Sequence, residues 1–337
     1  MLNIGIIGAG RIGKVHAESI TYHVKDAKVV AIADPYMNDA TMEWAKSLGI
    51  QKVHTDYRNI LQDDEIHAVL ICSSTDTHAD ISIEAIKANK HVFCEKPISQ
   101  DLAKIKAVME ALDQSNVKFQ VGFNRRFDHN FEAVRKAVEE GKIGDVHVVK
   151  VTSRDPEAPP LEYVKVSGGM FLDMTIHDFD MVRYLTSSDV VEVYASGTAL
   201  VNPAIKDAGD IDTAIITMKL ANGALAVIDN SRKADYGYDQ RAEVFGSKGQ
   251  VAVTNDAGST AVLSTAAGVT GEKPLYFFLE RYMASFSKEV SLFVQAALND
   301  TEVPVNINDG LQPVLIAKAA KKSLDENRPV LLSEITM

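Results

Sequence analysis

Between Gly168 and Asp180 the chain reads GGMFLDMTIHDFD, which sets Asp173 and Asp180 on either side of His177. A helix through this stretch puts Asp173 and His177 at i and i+4, one turn apart on one face. A carboxylate beside an imidazole orients the ring and stabilises its charged form, so the pair can take up and release a proton. A surface helix with an ordinary Asp–His contact would read the same way, and the rest of the chain has to decide between the two. His177, Asp178 and Asp180 offer no second histidine at metal-ligand spacing, so no metal is expected.

A second set of chemistry-bearing residues opens the chain. The apolar run Leu2 to Ile7 ends in Gly8-Ala9-Gly10-Arg11-Ile12-Gly13, a helical pattern follows, and a second apolar run ends at Asp34. Strand, glycine turn, helix, strand and acid in this order form a dinucleotide-binding fingerprint. Gly8 permits the tight turn, Gly10 lets the backbone approach a pyrophosphate, and Gly13 lets the helix pack on the strand. The amides at the helix start then face the phosphates. Asp34, about twenty residues past the glycines, can accept from both ribose hydroxyls and would repel a 2′-phosphate, which favours NAD over NADP.

The elements that position these groups alternate strand and helix as far as about residue 122. The polar turn Ser73-Ser74-Thr75-Asp76-Thr77-His78 and the tripeptide Glu95-Lys96-Pro97 fall at strand ends, where parallel sheets bind ligands. Pro97 disfavours a helical Lys96 and leaves it extended. Beyond residue 123 the pattern becomes period-two runs separated by turns such as Asn222-Gly223, as in antiparallel hairpins. The expected architecture is therefore α/β. A Rossmann doubly wound parallel sheet spans 1–122, and an α+β domain with a large open, mostly antiparallel sheet spans 123–304. The segment from about 305 to 337 is expected to pack back on the first domain through the short run Val330 to Leu332.

The totals set limits on partners. A formal net charge of −11 disfavours nucleic acid or an acidic membrane. No apolar run reaches the length of a membrane span, and the N-terminus lacks a basic leader, so the cytoplasm is the default location. Two isolated cysteines, Cys72 and Cys94, fit buried thiols better than a disulfide framework.

Five motifs spread along the chain agree on one family: GAGRIG near the start, CEKPIS at 94–99, GFNRRFD at 122–128, GGMFLDMTIHDFDMVRYL at 168–185 and RAEVFGSKG at 241–249. The chain resembles the glucose–fructose oxidoreductase / inositol dehydrogenase / rhizopine catabolism (Gfo/Idh/MocA) family of NAD(P)-dependent sugar oxidoreductases. Within it, SRDP at 153–156, GYDQR at 237–241 and FFLERY at 277–282 resemble bacterial inositol 2-dehydrogenases. The resemblance implies oxidation of a ring hydroxyl of myo-inositol, with scyllo-inositol or another cyclic polyol or aldose as the alternative. It also implies a homotetramer.

Residue by residue, the resemblance makes Lys96, Asp173 and His177 the catalytic group. It assigns Ser73, Ser74, Thr75, His78, Glu95 and Lys96, with Gly8, Gly10, Arg11, Ile12, Gly13 and Asp34, to the cofactor. Arg126, Asp155 and Tyr236 become contacts to a polyhydroxylated ring, with Arg125 as the alternative to Arg126, and Asp235 or Tyr238 to Tyr236. Met174 departs from the Thr that some inositol dehydrogenases carry after the catalytic Asp, which leaves the preferred isomer open. Either His177 or Lys96 can serve as the base, since burial beside a charged cofactor lowers a lysine's pKa. A cofactor-sensing binding protein on the same fold is the rival reading; it would be expected to lose one of the three catalytic residues, and this chain keeps all three.

Overall fold

The structure is a computed structural model of the 337-residue chain, described here for residues 1–336. Its strands are β1 Leu2–Ile7, β2 Ala27–Ala33, β3 Lys52–His54, β4 Ala68–Ile71, β5 His91–Glu95, β6 Phe119–Gly122, β7 Val146–Arg154, β8 Val190–Thr198, β9 Thr213–Leu220, β10 Leu225–Ser231, β11 Asp239–Gly246, β12 Gly249–Val253, β13 Val262–Thr265, β14 Gly268–Gly271 and β15 Val330–Leu331. The longer helices, with one short one needed below, are α1 Arg11–His23, α2 Asp39–Ser47, α3 His78–Lys87, α4 Leu102–Asp113, α5 His129–Glu139, α6 Met170–Asp173, α7 Ile176–Thr186, α8 Met283–Asn299 and α9 Ile307–Glu326.

Two compact units divide the chain. The first comprises residues 1–127 and 283–312, the second 128–282 and 313–336. In the first, six parallel strands lie in the order β3-β2-β1-β4-β5-β6. The strands are continuous apolar runs because helices cover both faces of such a sheet: β4 is buried at every position. The order reverses between β1 and β4, and a crevice at the strand carboxyl ends there is where an open α/β sheet takes its ligand.

The second unit is built on a seven-stranded sheet in the order β12-β11-β7-β10-β9-β8-β15. All its pairs are antiparallel except β7 with β10. β9 alternates buried and exposed positions along its length, so one face of the sheet packs inward and the other faces out. Helices α5 and α7 pack against each other, with α7 on β7.

Two sequence expectations are corrected here. Residues 283–304 belong with the parallel sheet, because Val290, Phe293 and Val294 of α8 complete the core around Ile4, Ile6, Ile20 and Phe93. The last short run does not return to that sheet: Val330 and Leu331 pair with Val193 and Glu192 of β8, extending the edge of the second sheet. An edge of unpaired N–H and C=O groups accepts a two-residue strand readily, and periodicity in so short a run carries no information on its partner.

Candidate active site

At the end of β1 the chain turns sharply at Gly8, whose φ of +104° suits glycine. Gly13 is required by contact: a Cβ there would lie 1.9 Å from the Gly8 carbonyl oxygen. Gly10 is different, since an added Cβ would meet no described atom within 4 Å. No side chain caps α1 at Gly10 and no acidic residue lies in its first turn, so the helix start keeps amide donors for an anionic ligand. Arg11 is exposed and Ile12 packs on the core. At the end of β2, Asp34 accepts from the backbone amides of Ala9 (2.7 Å) and Tyr36 (2.8 Å). These bonds tie the carboxylate to the glycine turn. A backbone with room above it, a helix start without a side-chain cap and a fixed carboxylate together fit a dinucleotide.

The later strand ends of this unit carry the other expected cofactor residues. Ser73 shares a 2.7 Å hydrogen bond with Thr77, in a turn where Ser74 is exposed and Thr75 starts a 3-10 segment. His78 is buried, with Nδ1 2.8 Å from the Pro97 carbonyl oxygen and Nε2 3.0 Å from that of Ser73. Both partners are acceptors, so a neutral ring, with its single N–H, donates to one of them at a time. Glu95 ends β5 with its carboxylate 2.7 Å from His16 Nε2, and Lys96 follows half-buried ahead of Pro97. Arg125 and Arg126 are both buried, and Arg126 pairs with Asp309 at 3.0 Å.

In the second unit the stretch around Asp173 is not one helix. Consecutive left-handed glycines, Gly168 (φ +87°) and Gly169 (φ +84°), lead into α6, and Asp210 accepts from the Met170 amide at 3.0 Å. The chain turns at Met174-Thr175 before α7 begins, so Asp173 closes α6 and His177 is the second residue of α7. The simple i, i+4 face is replaced by two short segments held separately. Thr175 donates to Asn230 Oδ1 (2.6 Å), and Asn230 donates to the buried Asp178 (2.9 Å) and the Ser153 carbonyl (3.2 Å). This fully buried network fixes the start of α7, and so the backbone of His177, on β10 and β7.

The Asp173 carboxylate is held at both oxygens: Oδ1 accepts from the Tyr163 hydroxyl at 2.8 Å and Oδ2 from Arg232 Nη1 at 3.0 Å. Sequence reasoning named neither partner. Arg232 is only 2% exposed. It sits just past the end of β10, and a lone arginine after an apolar strand was the available signal; Tyr163, on a short helix after Pro159-Pro160, had none.

The expected ring-contact residues of this unit are each engaged within it. Asp155 donates its amide to the Ser231 carbonyl at 2.9 Å. Tyr236 donates its hydroxyl to Asp239 at 2.6 Å and accepts from Arg154 at 3.2 Å. Burial and the adjoining Asp239 carboxylate hold its phenol above the usual range. Tyr236 also lines an open cavity of about 450 Å³ with Glu157, Lys233, Asp235 and Tyr276. Of the alternatives, Asp235 is exposed, while Tyr238 is buried edge-on against Phe277 and Tyr282.

Comparison with known proteins decides the family. The model for the oxidoreductase family with NAD-binding Rossmann fold matches residues 2–123, and that for the GFO/IDH/MocA C-terminal domain matches residues 131–252. The chain belongs to the Gfo/Idh/MocA oxidoreductase family. It is 48% identical to a myo-inositol 2-dehydrogenase of Thermotoga maritima over 99% of both chains. It is 44% identical to an inositol 2-dehydrogenase of Rhizobium meliloti over 98% of this chain and 99% of that one. A solved structure of scyllo-inositol dehydrogenase from Lactobacillus casei, with bound cofactor NAD(H) and scyllo-inositol, superposes with a TM-score of 0.92 at 33% identity, covering 99% of each chain. The first unit is thus an NAD-binding Rossmann domain of an oxidoreductase. No described helix is long and apolar enough to cross a membrane.

Proposed function

We propose that this chain is an NAD-dependent inositol 2-dehydrogenase, oxidising myo-inositol to 2-keto-myo-inositol, and that it works in the cytoplasm as a homotetramer. The observation that carries the reading is the 48% identity, over 99% of both chains, with an enzyme named for that reaction. Oxidising a secondary alcohol requires loss of the hydroxyl proton and stabilisation of negative charge growing on its oxygen. Bound NAD supplies the hydride acceptor. His177 takes the proton, Asp173 orients the imidazole and stabilises its charged form, and Lys96 donates to the same oxygen. Arg126, Asp155 and Tyr236 recognise the other ring hydroxyls, and the residues from Gly8 to Gly13, Asp34, Ser73 to Thr75, His78 and Glu95 hold or frame the cofactor. Rising pH favours oxidation, because a proton is released with NADH.

A second substrate, scyllo-inositol, is favoured by the similarity to the Lactobacillus casei structure that holds it. Assembly is supported by apolar side chains exposed on neighbouring strands of the second sheet. Leu225 and Phe245, about half exposed, both lie in register with Val148, and covering them against a second copy would remove apolar surface from water.

Steady-state rates with myo-inositol, scyllo-inositol and glucose, each with NAD and NADP, test the reading. NADH formation fastest with myo-inositol is expected, and Lys96→Ala and His177→Ala should each lose at least about 100-fold in kcat, the scale of acid–base catalysis. Absence of turnover with every polyol would leave the binding-protein reading standing, and near-normal rates in either variant would remove that residue from the mechanism.

A further inference from the structure

Beside Glu95, at the strand end that leads into Lys96, lie two buried ionisable side chains, His16 and Glu289, to which the proposed reaction assigns no role. His16 of α1, Glu95 of β5 and Glu289 of α8 bring a ring nitrogen and two carboxylate oxygens within 4.8 Å of one another. His16 and Glu289 are fully buried. Glu95 shares a 2.7 Å hydrogen bond with His16 Nε2, yet neither oxygen of Glu289 has a hydrogen-bond partner among the described residues. Glu289 stands on the apolar face of α8 with Phe286, Val290 and Phe293, where an ionised carboxylate without a counter-charge is far costlier than a neutral acid.

Only a cation or a proton can settle such a group, and the geometry favours the proton. A metal-bound histidine normally donates its second ring N–H to a carbonyl or carboxylate. His16 Nδ1 is buried without a hydrogen-bond partner among the described residues, and the ring is flanked edge-on by Phe93 (5.2 Å) and Phe286 (5.7 Å). A neutral imidazole that donates from Nε2 to Glu95 leaves only an acceptor unpaired at Nδ1. We infer that Glu289 is a neutral carboxylic acid at pH 7 whose O–H donates a hydrogen bond to Glu95 while keeping its proton, and that it thereby positions the strand end bearing Lys96. A carboxyl rotation or one bridging water closes the remaining span. The positioning role rests on the proposed role of Lys96; the protonation state does not.

The surroundings agree. Burial first, and then the Glu95 charge, push the Glu289 carboxyl well above its ordinary range. The Cys72 thiol after β4 and the Cys94 thiol of β5 are both raised, chiefly by burial. Gln120 of β6 donates to the Glu289 backbone carbonyl at 3.0 Å. Arg125 and Arg126 lie on the short helix packed against α8, and Arg126 is paired with Asp309.

The test compares the wild-type chain with Glu289→Gln, which keeps the shape and a donor but cannot ionise. If the folded state holds a proton that the unfolded chain releases, wild-type stability falls as pH rises above the ordinary carboxylate range. Equilibrium denaturation between pH 5 and 8 should then show the ratio of unfolding constants, wild type over Glu289→Gln, rising about tenfold per pH unit. A ratio that stays constant overturns the inference, as does a stoichiometric divalent metal in the purified protein. In the same preparations Glu289→Gln should keep NADH affinity and kcat/KM within about threefold of wild type, while Glu289→Leu, lacking the donor, should lose about tenfold in kcat/KM. Wild-type kcat/KM in the Leu variant overturns the positioning role. If wild-type enzyme turns over no polyol, the proposed function fails, and the denaturation series still decides the state of Glu289.

Discussion

Arg232 is the strongest handle on the proposed chemistry, because its guanidinium holds the Asp173 carboxylate directly. Arg232→Met keeps the length and apolar stem of the side chain and removes the guanidinium. The ion pair it breaks is short, at 3.0 Å, and shielded, with the two side chains 2% and 15% exposed. A hydrogen bond to a charged partner in such a place contributes about 1.5–3 kcal/mol. If that energy serves to hold Asp173 in its working orientation, kcat/KM with NAD and myo-inositol falls by roughly 10- to 150-fold, since about 1.4 kcal/mol is a factor of ten.

Stability should suffer less than for an ordinary broken pair. Arg232 Nε and Nη2 are buried without hydrogen-bond partners among the described residues, so the substitution also removes two unsatisfied donors. Tyr163→Phe, which strips the other named donor from Asp173, provides the second arm of a double-mutant cycle. The two losses should couple by about 0.5–3 kcal/mol, because either donor alone still restrains the carboxylate. A folded Arg232→Met enzyme with wild-type kcat/KM refutes the argument, and strictly additive losses refute the shared restraint.

Two further expectations follow from contacts elsewhere in the chain. Gly13→Ala places a Cβ 1.9 Å from the Gly8 carbonyl oxygen, so α1 must shift away from the turn; NADH titration by fluorescence should show at least about a tenfold weaker affinity, and unchanged affinity would mean that the turn relaxes freely. For Asp239, burial alone would raise the carboxyl, but hydrogen bonds from Arg241, Tyr236 and Asn255 outweigh it and leave the pKa lowered. Its contribution is therefore full above the unfolded carboxylate range of about 4 and is lost as pH falls through the lower folded value, so the stability gap between wild type and Asp239→Asn, measured by denaturation at pH 7 and pH 3, should narrow in acid.

What was legible in the sequence divides along a physical line. The parallel sheet and its glycine turn were readable because each demand is local: Gly13 faces a carbonyl five residues back, and β1, β2 and β4 are apolar runs of strand length. The partners of Asp173 were not, because Arg232 reaches it from 59 residues away and the contact exists only once α6 lies against the end of β10. The break at Met174-Thr175 was hidden for a related reason. An apolar stripe continues across it, yet Thr175 donates its hydroxyl to Asn230, whose amide bonds Asp178 and the Ser153 carbonyl, and Asn230 and Ser153 lie on strands that no local pattern connects to the turn. Glu289 shows the converse: a single carboxylate among Phe286, Val290 and Phe293 breaks the apolar face of its own helix, a local signal that sequence reasoning passed over. A lone ionisable residue on an otherwise apolar stripe is thus a stronger pointer to a buried polar cluster than an Asp–His spacing is to a catalytic pair, since burial there carries an energetic cost and helical spacing carries none.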